Sequence, residues 1–400
     1  MPWKETSAMD QRIQLIADWL SGDYTKTELS RIYGISRPTA DKWIERYAKG
    51  GPEGFKELSR APYCHPNQTA EELRGMIVKT KLRHQKWGPK KVLDCLRREQ
   101  PQWKWPADST AGEILKRAGL VQARRRRRRV APYSEPFSQC AGPNQSWSAD
   151  FKGDFRLGNG RRCYPLTVSD NFSRYLLLCR ALERPSHPEV QPWFEWVFRE
   201  YGLPEAIRTD NGAPFASLAV GGISQLSKWW IKLGIKPERI QPGKPAQNGR
   251  HERMHRTLEE VPPQGDLDAQ QRQYDPFQEE YNWERSHEAL ERKTPGSVYC
   301  SSPRSYPVKL PEVDYESGIT VRHVRHNGEI KWRGQFLYVS EVLAKEPVGL
   351  KPIDQDNWEL RYSFHVLGIL NERTQKITPA KGWHGELSEQ KCKPCLRSKM

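Results

Sequence analysis

The sequence predicts a multidomain protein with all-α helix-turn-helix modules at the N-terminus, an α/β core and a small all-β barrel at the C-terminus. Apolar residues recur at helical spacing before residue 121, strand-like and helix-like stretches alternate over 141–300, and short strand-like runs follow one another closely after residue 318. The chain has 400 residues, more than a single core usually holds. The expected divisions are helical modules at 1–50 and 66–121, an Arg-rich linker at 122–140, the core at 141–300, the barrel at 310–384 and a basic tail at 385–400.

The chain carries a strong positive charge. Its 65 Lys and Arg exceed its 49 Asp and Glu and give a formal net charge of +16. Such an excess favours a polyanionic partner, and DNA or RNA is the commonest one. The alternative is a generally basic soluble protein without a nucleic-acid partner.

Cysteine usage and hydropathy indicate where the protein works. Among the eight cysteines only Cys392 and Cys395 form a C-x-x-C pair, and no second pair or His-x-x-His completes a tetrahedral zinc site. We interpret that pair as incidental and the other cysteines as reduced core thiols. The sequence has neither an apolar run of about 18 residues nor a signal-peptide core. We therefore expect a soluble, cytoplasmic protein.

Residues 10–48 have the pattern of a helix-turn-helix. Gly34 is placed to end the second helix, and Ser36 opens a third helix that runs to about Tyr47. The third helix of this motif enters the DNA major groove. A plain three-helix bundle is the alternative. On the DNA-binding interpretation Ala40, Trp43 and Ile44 pack inward, and the DNA-facing residues are Arg37, Thr39, Lys42 and Arg46.

A second helical module and a basic run follow. Periodicity over 70–83, a Pro-initiated helix after Trp87 and a third helix at 111–118 resemble another helix-turn-helix, with a linker bundle as the alternative. Six consecutive arginines come next, and we expect them to form an extended linker that tracks DNA phosphates. A solvated spacer or a nuclear-import signal are the other interpretations. The run consists of Arg124, Arg125, Arg126, Arg127, Arg128 and Arg129.

The predicted core begins with three strands and continues with alternating helices and strands. The strands are expected at Ser146–Phe155, Arg162–Ser169 and Arg174–Leu182, and two shorter strands at Ala206–Arg208 and Ile235–Ile240. Helices are expected at Glu189–Tyr201, Ile223–Leu233, Ala246–Leu258 and Tyr274–Trp283. This order implies a mixed sheet with helices packed on it.

Three acidic residues occupy distinct settings in this core. Asp150 lies in a strand, Asp210 follows a short strand and precedes Asn-Gly, and Glu252 lies on a helix beside Arg253. Carboxylates that are distant in sequence but convergent in a fold hold paired Mg²⁺ ions for phosphoryl transfer. The sequence therefore predicts Asp150, Asp210 and Glu252 as catalytic metal ligands.

Four stretches in this region resemble the integrase core of bacterial insertion-sequence transposases, which belong to the DDE superfamily of retroviral integrases. They are Trp147–Phe151, Thr209–Phe215, Lys244–Arg253 and Tyr281–Leu290. The resemblance implies a ribonuclease H-like fold and N-terminal helix-turn-helix modules. Two departures leave the three acids untouched: the interval before Glu252 is a few residues longer than usual, and Ser286 stands where relatives usually have proline.

The resemblance also implies a reaction. Water cuts a DNA strand at the end of a mobile element, and the freed 3′-OH then attacks a phosphodiester of target DNA, with two Mg²⁺ or Mn²⁺ ions per site. Joining two ends implies at least a homodimer on double-stranded DNA. Lys244 and Arg253 are expected phosphate contacts, and His255 and Arg256 are expected to hold the terminal DNA; solvated helix surface is the alternative. The rival functions are a non-catalytic DNA-binding regulator, which should lack one of the acids, and a metal-dependent endonuclease that cuts without joining.

Overall fold

We describe a computed structural model of the chain over residues 7–57, 68–121, 140–217, 220–240 and 249–379. The chain divides into two compact units, Met1–Ala70 and Glu71–Met400, and each is described by itself. The arginine run 124–129, Lys244, the predicted tail 385–400 and its cysteines lie outside the described residues. Within those ranges, no helix combines the length and the apolar character that a bilayer crossing needs.

The first unit is a three-helix module. Helix α1 spans Ala8–Ser21, α2 spans Lys26–Ile32 and α3 spans Arg37–Gly50. Ser7, Thr25 and Ser36 cap the three helices by accepting a backbone N–H three residues on, as small hydroxyl residues do at N-termini. Leu15, Ile16, Ala40, Trp43, Ile44 and Phe55 form its core. The inward-facing residues of α3, Ala40, Trp43 and Ile44, are therefore as predicted.

A second helical module opens the second unit. Helices α4 (Glu71–Arg83), α5 (Pro89–Glu99) and α6 (Asp108–Arg117) enclose an apolar core that includes Ile77, Trp87 and Leu93. This module also packs against residues 280–292. Arg292 bridges Asp94 and Asp108, at 2.6 and 3.0 Å, and Ser286 Oγ donates to the buried Asp94 at 2.7 Å. The module is therefore anchored to the core domain by charges and hydrogen bonds.

The core domain is a mixed α/β structure. Its six strands are β1 (Ser146–Phe151), β2 (Phe155–Arg156), β3 (Arg162–Asp170), β4 (Leu176–Leu182), β5 (Ala206–Thr209) and β6 (Lys236–Arg239). They form one sheet in the order β2-β3-β1-β5-β6, with β4 also paired to β3. The β1–β3 and β3–β4 pairs are antiparallel, whereas β1–β5 and β5–β6 are parallel. The predicted first strand is shorter than expected, since the chain leaves the strand at residues 152–154, where Gly153 has φ 94°.

Helices pack on this sheet. They are α7 (His187–Tyr201), α8 (Gln225–Lys232), α9 (Gly249–Leu258), α10 (Leu267–Glu279), which continues into a π-helical turn at Glu280–Glu284, and α11 (Pro295–Val298). Aromatic side chains fill the main core: Trp147, Phe194, Phe198 and Trp230 are fully buried. Burial of such large apolar surfaces is the main source of stability for this layer.

The C-terminal region is antiparallel and all-β, as predicted. Its strands are β7 (Thr320–His323), β8 (Glu329–Trp332), β9 (Gln335–Tyr338), β10 (Pro347–Pro352), β11 (Asn357–Tyr362), β12 (His365–Asn371) and β13 (Lys376–Pro379). Five form a sheet in the order β13-β12-β11-β10-β7, and β8 pairs with β9. Strand β13 was not predicted. Ile223 and Ile231 of the core domain join the apolar cluster of this region, so the two share a buried interface.

Candidate active site

Two of the three predicted acids lie near the ends of neighbouring parallel strands, Asp150 within β1 and Asp210 directly after β5. Strand β1 pairs with β5 in the register Ser146–Ala206, Trp147–Ile207 and Ser148–Arg208. Continuing this register by two residues brings Asp150 opposite Asp210, on strands about 4.8 Å apart. Both side chains are half-buried. The continued register therefore brings the backbones of the two acids close together at the carboxyl edge of these strands.

The turn after β5 fixes the carboxylate of Asp210. Its Oδ1 accepts the backbone N–H of Gly212 at 3.1 Å, which closes an Asx turn. A Cβ at residue 212 would lie 2.9 Å from Asp210 Oδ2, so this close approach favours glycine. Asn211 Nδ2 donates to the carbonyl of Ile240 at 2.8 Å and ties the turn to the end of β6. The Asn-Gly dipeptide therefore serves to orient the acid.

The third acid, Glu252, lies on α9, and two histidines attach this helix to β3. Thr167 Oγ1 is 2.7 Å from His251 Nε2 and 2.8 Å from His255 Nε2, and it donates to the backbone carbonyl of Asp150 at 3.0 Å. Thr167 is also the strand partner of Asp150. The hydroxyl of Thr167 therefore links the backbone of one acid to the helix that carries another.

Both histidines are neutral in this arrangement. Burial lowers the pKa of His251 well below its usual value, and the nearby His255 lowers it further. Burial, with Lys152 nearby, lowers the pKa of His255 to about 4. Because Thr167 uses its proton on Asp150, each Nε2 carries a proton and donates to Thr167. His251 Nδ1 then accepts from Ser169 Oγ at 3.1 Å.

The side chains near Asp150 can be compared with the ligands that a metal ion would need. Asp150, His251 and His255 each offer a ligand atom within 4.8 Å of the others, and among the described residues no group containing all three acids is as close. Both histidines, however, already use Nε2 on Thr167. Mg²⁺ prefers carboxylate oxygens, whereas imidazole suits transition metals. The chemistry of the three carboxylates therefore fits Mg²⁺ or Mn²⁺, with the histidines as supports for α9.

The predicted DNA contacts fall into different settings. Arg37 and Lys42 are exposed on α3, Thr39 bonds to the capping Ser36, and the half-buried Arg46 lies with its guanidinium 4.9 Å from the Trp43 ring centre. Arg253 and Arg256 are exposed on α9. His255 differs from the prediction in its setting: its ring points inward to Thr167, because the buried imidazole needs a hydrogen-bond partner. Lys244 and Arg124–Arg129 lie outside the described residues.

Sequence reasoning missed His251 and Thr167. The available signal was the spacing of His251 and His255, four residues apart and so on one face of a helix. A polar pair on a buried face needs partners on the neighbouring strand. Which strand residue supplies them depends on the β1–β3 register, which the sequence pattern does not contain.

The comparisons with known proteins agree with this architecture. Family models described as integrase core domain match residues 141–245 and 233–295, a helix-turn-helix domain model matches 11–63, and a homeodomain-like domain model matches 39–115. The two core matches together coincide with the sheet, α9 and the three acids.

Three relatives show the same relationship. The chain is 31% identical over 196 residues to an uncharacterised 39.2-kDa protein of insertion element IS476 of Xanthomonas euvesicatoria, covering 48% of this chain and 54% of that protein. It is 36% identical over 148 residues to an uncharacterised 31.7-kDa protein of insertion element IS407 of Burkholderia multivorans, covering 34% and 47%. It is 28% identical over 119 residues to the Gag-Pol polyprotein of baboon endogenous virus, covering 30% and 6%.

The chain thus spans about half the length of each insertion-element relative that it matches. The chain is thus similar both to proteins of bacterial insertion elements and to a retroviral polyprotein. The chain therefore carries an integrase core domain together with helix-turn-helix domains, and it is related to proteins of bacterial insertion elements.

Proposed function

We propose that this chain is a DNA transposase that binds the terminal repeats of a mobile element, cleaves the strand at the element end and joins the 3′-OH to target DNA. The observation that carries the proposal is the register of β1 and β5, which, continued by two residues, pairs the positions of Asp150 and Asp210; Glu252 lies on a helix attached to the same sheet. An integrase-type core and insertion-element relatives support the reaction class.

Asp150, Asp210 and Glu252 would hold two Mg²⁺ (or Mn²⁺) ions. When bound, such ions activate the attacking oxygen and stabilise the leaving oxygen of an in-line displacement. The protein's own part is positioning, because phosphodiester transfer of this kind needs no covalent enzyme intermediate. Gly212 holds the Asp210 carboxylate in its turn, and Thr167 with the two histidines holds α9 against the strand of Asp150.

DNA would reach this site through basic elements of both units. We assign phosphate or base contacts to the exposed face of α3 (Arg37, Thr39, Lys42 and Arg46) and to the outer face of α9 (Arg253, Arg256). The arginine run 124–129 and Lys244 remain proposed contacts, as does His255, whose inward ring would first have to leave Thr167. We further propose a homo-oligomer, at least a dimer, on double-stranded DNA in the bacterial cytoplasm.

Two other functions use the same parts. A domesticated regulator would bind DNA without cleaving it, yet the chain retains all three acids, which such a protein has no need to keep. A metal-dependent endonuclease would cut without joining, yet helix-turn-helix domains favour a protein that recognises particular sites.

The test is strand transfer with end-labelled DNA from the flanks of the gene, with Mg²⁺ or Mn²⁺. Wild type is compared with Asp150→Asn, Asp210→Asn and Glu252→Gln, and Glu259→Gln, at an exposed carboxylate directly after α9, is the control. Joined products from wild type and the control alone are expected, with DNA affinity nearly unchanged in every variant. Cutting without joining would favour the endonuclease, and binding without either reaction the regulator. Comparable residual cleavage in all three acid variants would contradict the triad.

A further inference from the structure

A cationic pocket lies beside the candidate active site and is not explained by the three acids. Its volume is about 290 Å³, near the lower end of pockets that take a small molecule. The turn between β3 and β4 supplies Phe172 and Arg174, the first turn of α9 supplies Arg250, and the 289–298 segment supplies Leu290, Lys293 and Val298. Glu291 also lines the pocket, and its carboxylate lies 3.8 Å from Lys293 Nζ. The pocket thus combines three cations, one of them paired with a carboxylate, with an aromatic ring and apolar walls.

The two arginines converge without a counter-charge. Arg174 Nη1 and Arg250 Nη1 both donate to the backbone carbonyl of Asn171, at 2.7 and 3.1 Å. Among the described residues, neither guanidinium has a carboxylate within 4.0 Å. Burial and the neighbouring Arg250 together lower the pKa of Arg174 to about 10. Two cations that repel each other around a single neutral acceptor leave most of their N–H donors for an anion.

The backbone around this pocket is strained. Arg174, Glu291 and Arg292 have φ values of 66°, 52° and 69°, in the left-handed region that side chains other than glycine rarely adopt. Such strain tends to occur where a ligand site has to be shaped. Arg292 is held in place from outside by Asp94 and Asp108 of the second helical module. The contacts of Arg292 with Asp94 and Asp108 therefore hold this segment of the pocket wall without occupying the pocket.

The position of the pocket suggests its ligand. Asp170 comes just before the turn that carries Phe172 and Arg174, and it pairs with Trp147 of β1. Asp150, which pairs with Thr167, lies three residues further along β1. At 3.3 Å per residue this is about 10 Å along the sheet. A stacked DNA strand advances about 3.4 Å per nucleotide, so about three nucleotides separate the two places.

The outer face of α9 connects them. Successive helix residues are about 100° apart, so with His251 and His255 facing β3, Arg250 and Glu252 point to opposite flanks and Arg253 points outward. The exposure of Arg253 and Arg256 agrees with this geometry. A strand that crosses α9 from Glu252 to Arg250 would pass over exposed arginines and reach the pocket.

We propose that this pocket binds one nucleotide of a DNA strand, with its phosphate on Arg174 and Arg250, its base against Phe172, and Lys293 beside it. The inference deepens the proposed function, because the bound nucleotide would hold the strand about three steps from the reacting phosphate. Aromatic stacking accepts any base, so the pocket would not read sequence.

Photocross-linking tests this assignment without requiring activity. The full chain, without divalent metal, is irradiated with the tetranucleotide d(T)4 containing one 5-iodouracil, and the cross-linked peptide is identified by mass spectrometry. We expect a main cross-link at Phe172. Cross-links spread over other basic segments, with none at Phe172, would overturn the proposal.

The affinity for d(T)4, measured by fluorescence anisotropy, provides a quantitative test. Arg174→Gln with Arg250→Gln is expected to weaken binding roughly tenfold or more, and Phe172→Leu roughly tenfold, as the removal of charged hydrogen bonds and of stacking does. Arg184→Gln, an exposed arginine on the connection between β4 and α7, is the control for the removal of one charge. If circular dichroism shows that the double arginine variant is misfolded, then Lys293→Gln is measured in its place.

The outcomes separate this proposal from the proposed function. Loss of binding in the pocket variants but not in Arg184→Gln supports the pocket, even if the wild type fails to join DNA strands. If Arg184→Gln and a single arginine substitution in the pocket weaken d(T)4 binding equally, then binding depends only on net charge and the proposal is overturned. A tetranucleotide with one abasic position is expected to bind more weakly, and equal affinity would overturn the role of Phe172.

Discussion

Replacing Thr167 by Val removes one hydroxyl and leaves the shape of the side chain unchanged. That hydroxyl is fully buried and serves three partners: the carbonyl of Asp150, His251 Nε2 and His255 Nε2. A buried donor left without a partner costs about 1–3 kcal/mol. His251 is 2% exposed, so its Nε2 proton would be left buried without a partner, whereas the mostly buried His255 keeps some exposure. We therefore expect a loss of about 2–4 kcal/mol in the free energy of unfolding.

The consequence for activity follows from the same hydrogen bonds. With Thr167→Val, α9 loses two of its attachments to β3, so Glu252 is held less firmly relative to Asp150. A catalytic group displaced by about 1 Å can lower the rate about a hundredfold. We expect strand cleavage to fall at least tenfold in rate while DNA affinity changes less than threefold.

The assays are urea unfolding followed by tryptophan fluorescence and single-turnover cleavage of end-labelled DNA. Thr257→Val is the matched control, because that hydroxyl lies on the same helix and donates to the carbonyl of Arg253 within it. Stability and cleavage should change little in the control. If Thr167→Val is as stable and as active as Thr257→Val, then the histidines do not position α9 through Thr167 and the reasoning is wrong.

Four further predictions concern other parts of the molecule. The pKa of His255 is about 4 in the folded state against 6.5 in the unfolded state, so its neutral form contributes stability that is complete above pH 6.5 and is lost as the pH falls to about 4. Urea midpoints of the wild type should therefore fall over this pH range, and those of His255→Gln should fall less steeply. Gly212→Ala puts a Cβ 2.9 Å from Asp210 Oδ2 and should lower the cleavage rate at least tenfold with less than about 1 kcal/mol lost in stability. Gly142→Ala, whose added Cβ has nothing within 4 Å, is the control and should leave cleavage unchanged. Asp94→Asn removes the charge of the buried partner of Arg292 and Ser286 and should lower the free energy of unfolding by about 1–3 kcal/mol. It should also make the 280–292 segment sensitive to limited proteolysis, whereas the control Glu99→Gln at the end of α5 should have neither effect. Replacing Arg124–Arg129 by Ser and Gly should flatten the dependence of log affinity on log salt, by up to about 0.9 for each DNA phosphate that is no longer neutralised, and an unchanged slope would make the run a spacer.

The local sequence determined most of the secondary structure and was sufficient to predict the three acids. Caps such as Ser7, Thr25 and Ser36 act within three residues, so the helices they start could be read directly. The Asn-Gly after Asp210 has a similarly local role. The alternation of strands and helices was sufficient for the mixed sheet, although Gly153 ended β1 earlier than the apolar pattern indicated.

Only the tertiary structure decided how these elements meet. The pairing of Asp150 with Thr167, the attachment of α9 by His251 and His255, and the docking of the second helical module through Arg292 join residues between 17 and 198 positions apart. Arg174 and Arg250 likewise converge on Asn171 only because the β3–β4 turn and α9 are packed together. Hydrogen bonds and ion pairs depend on distance in space, which strand register and helix packing set, and the chemical identity of a residue does not encode its partner.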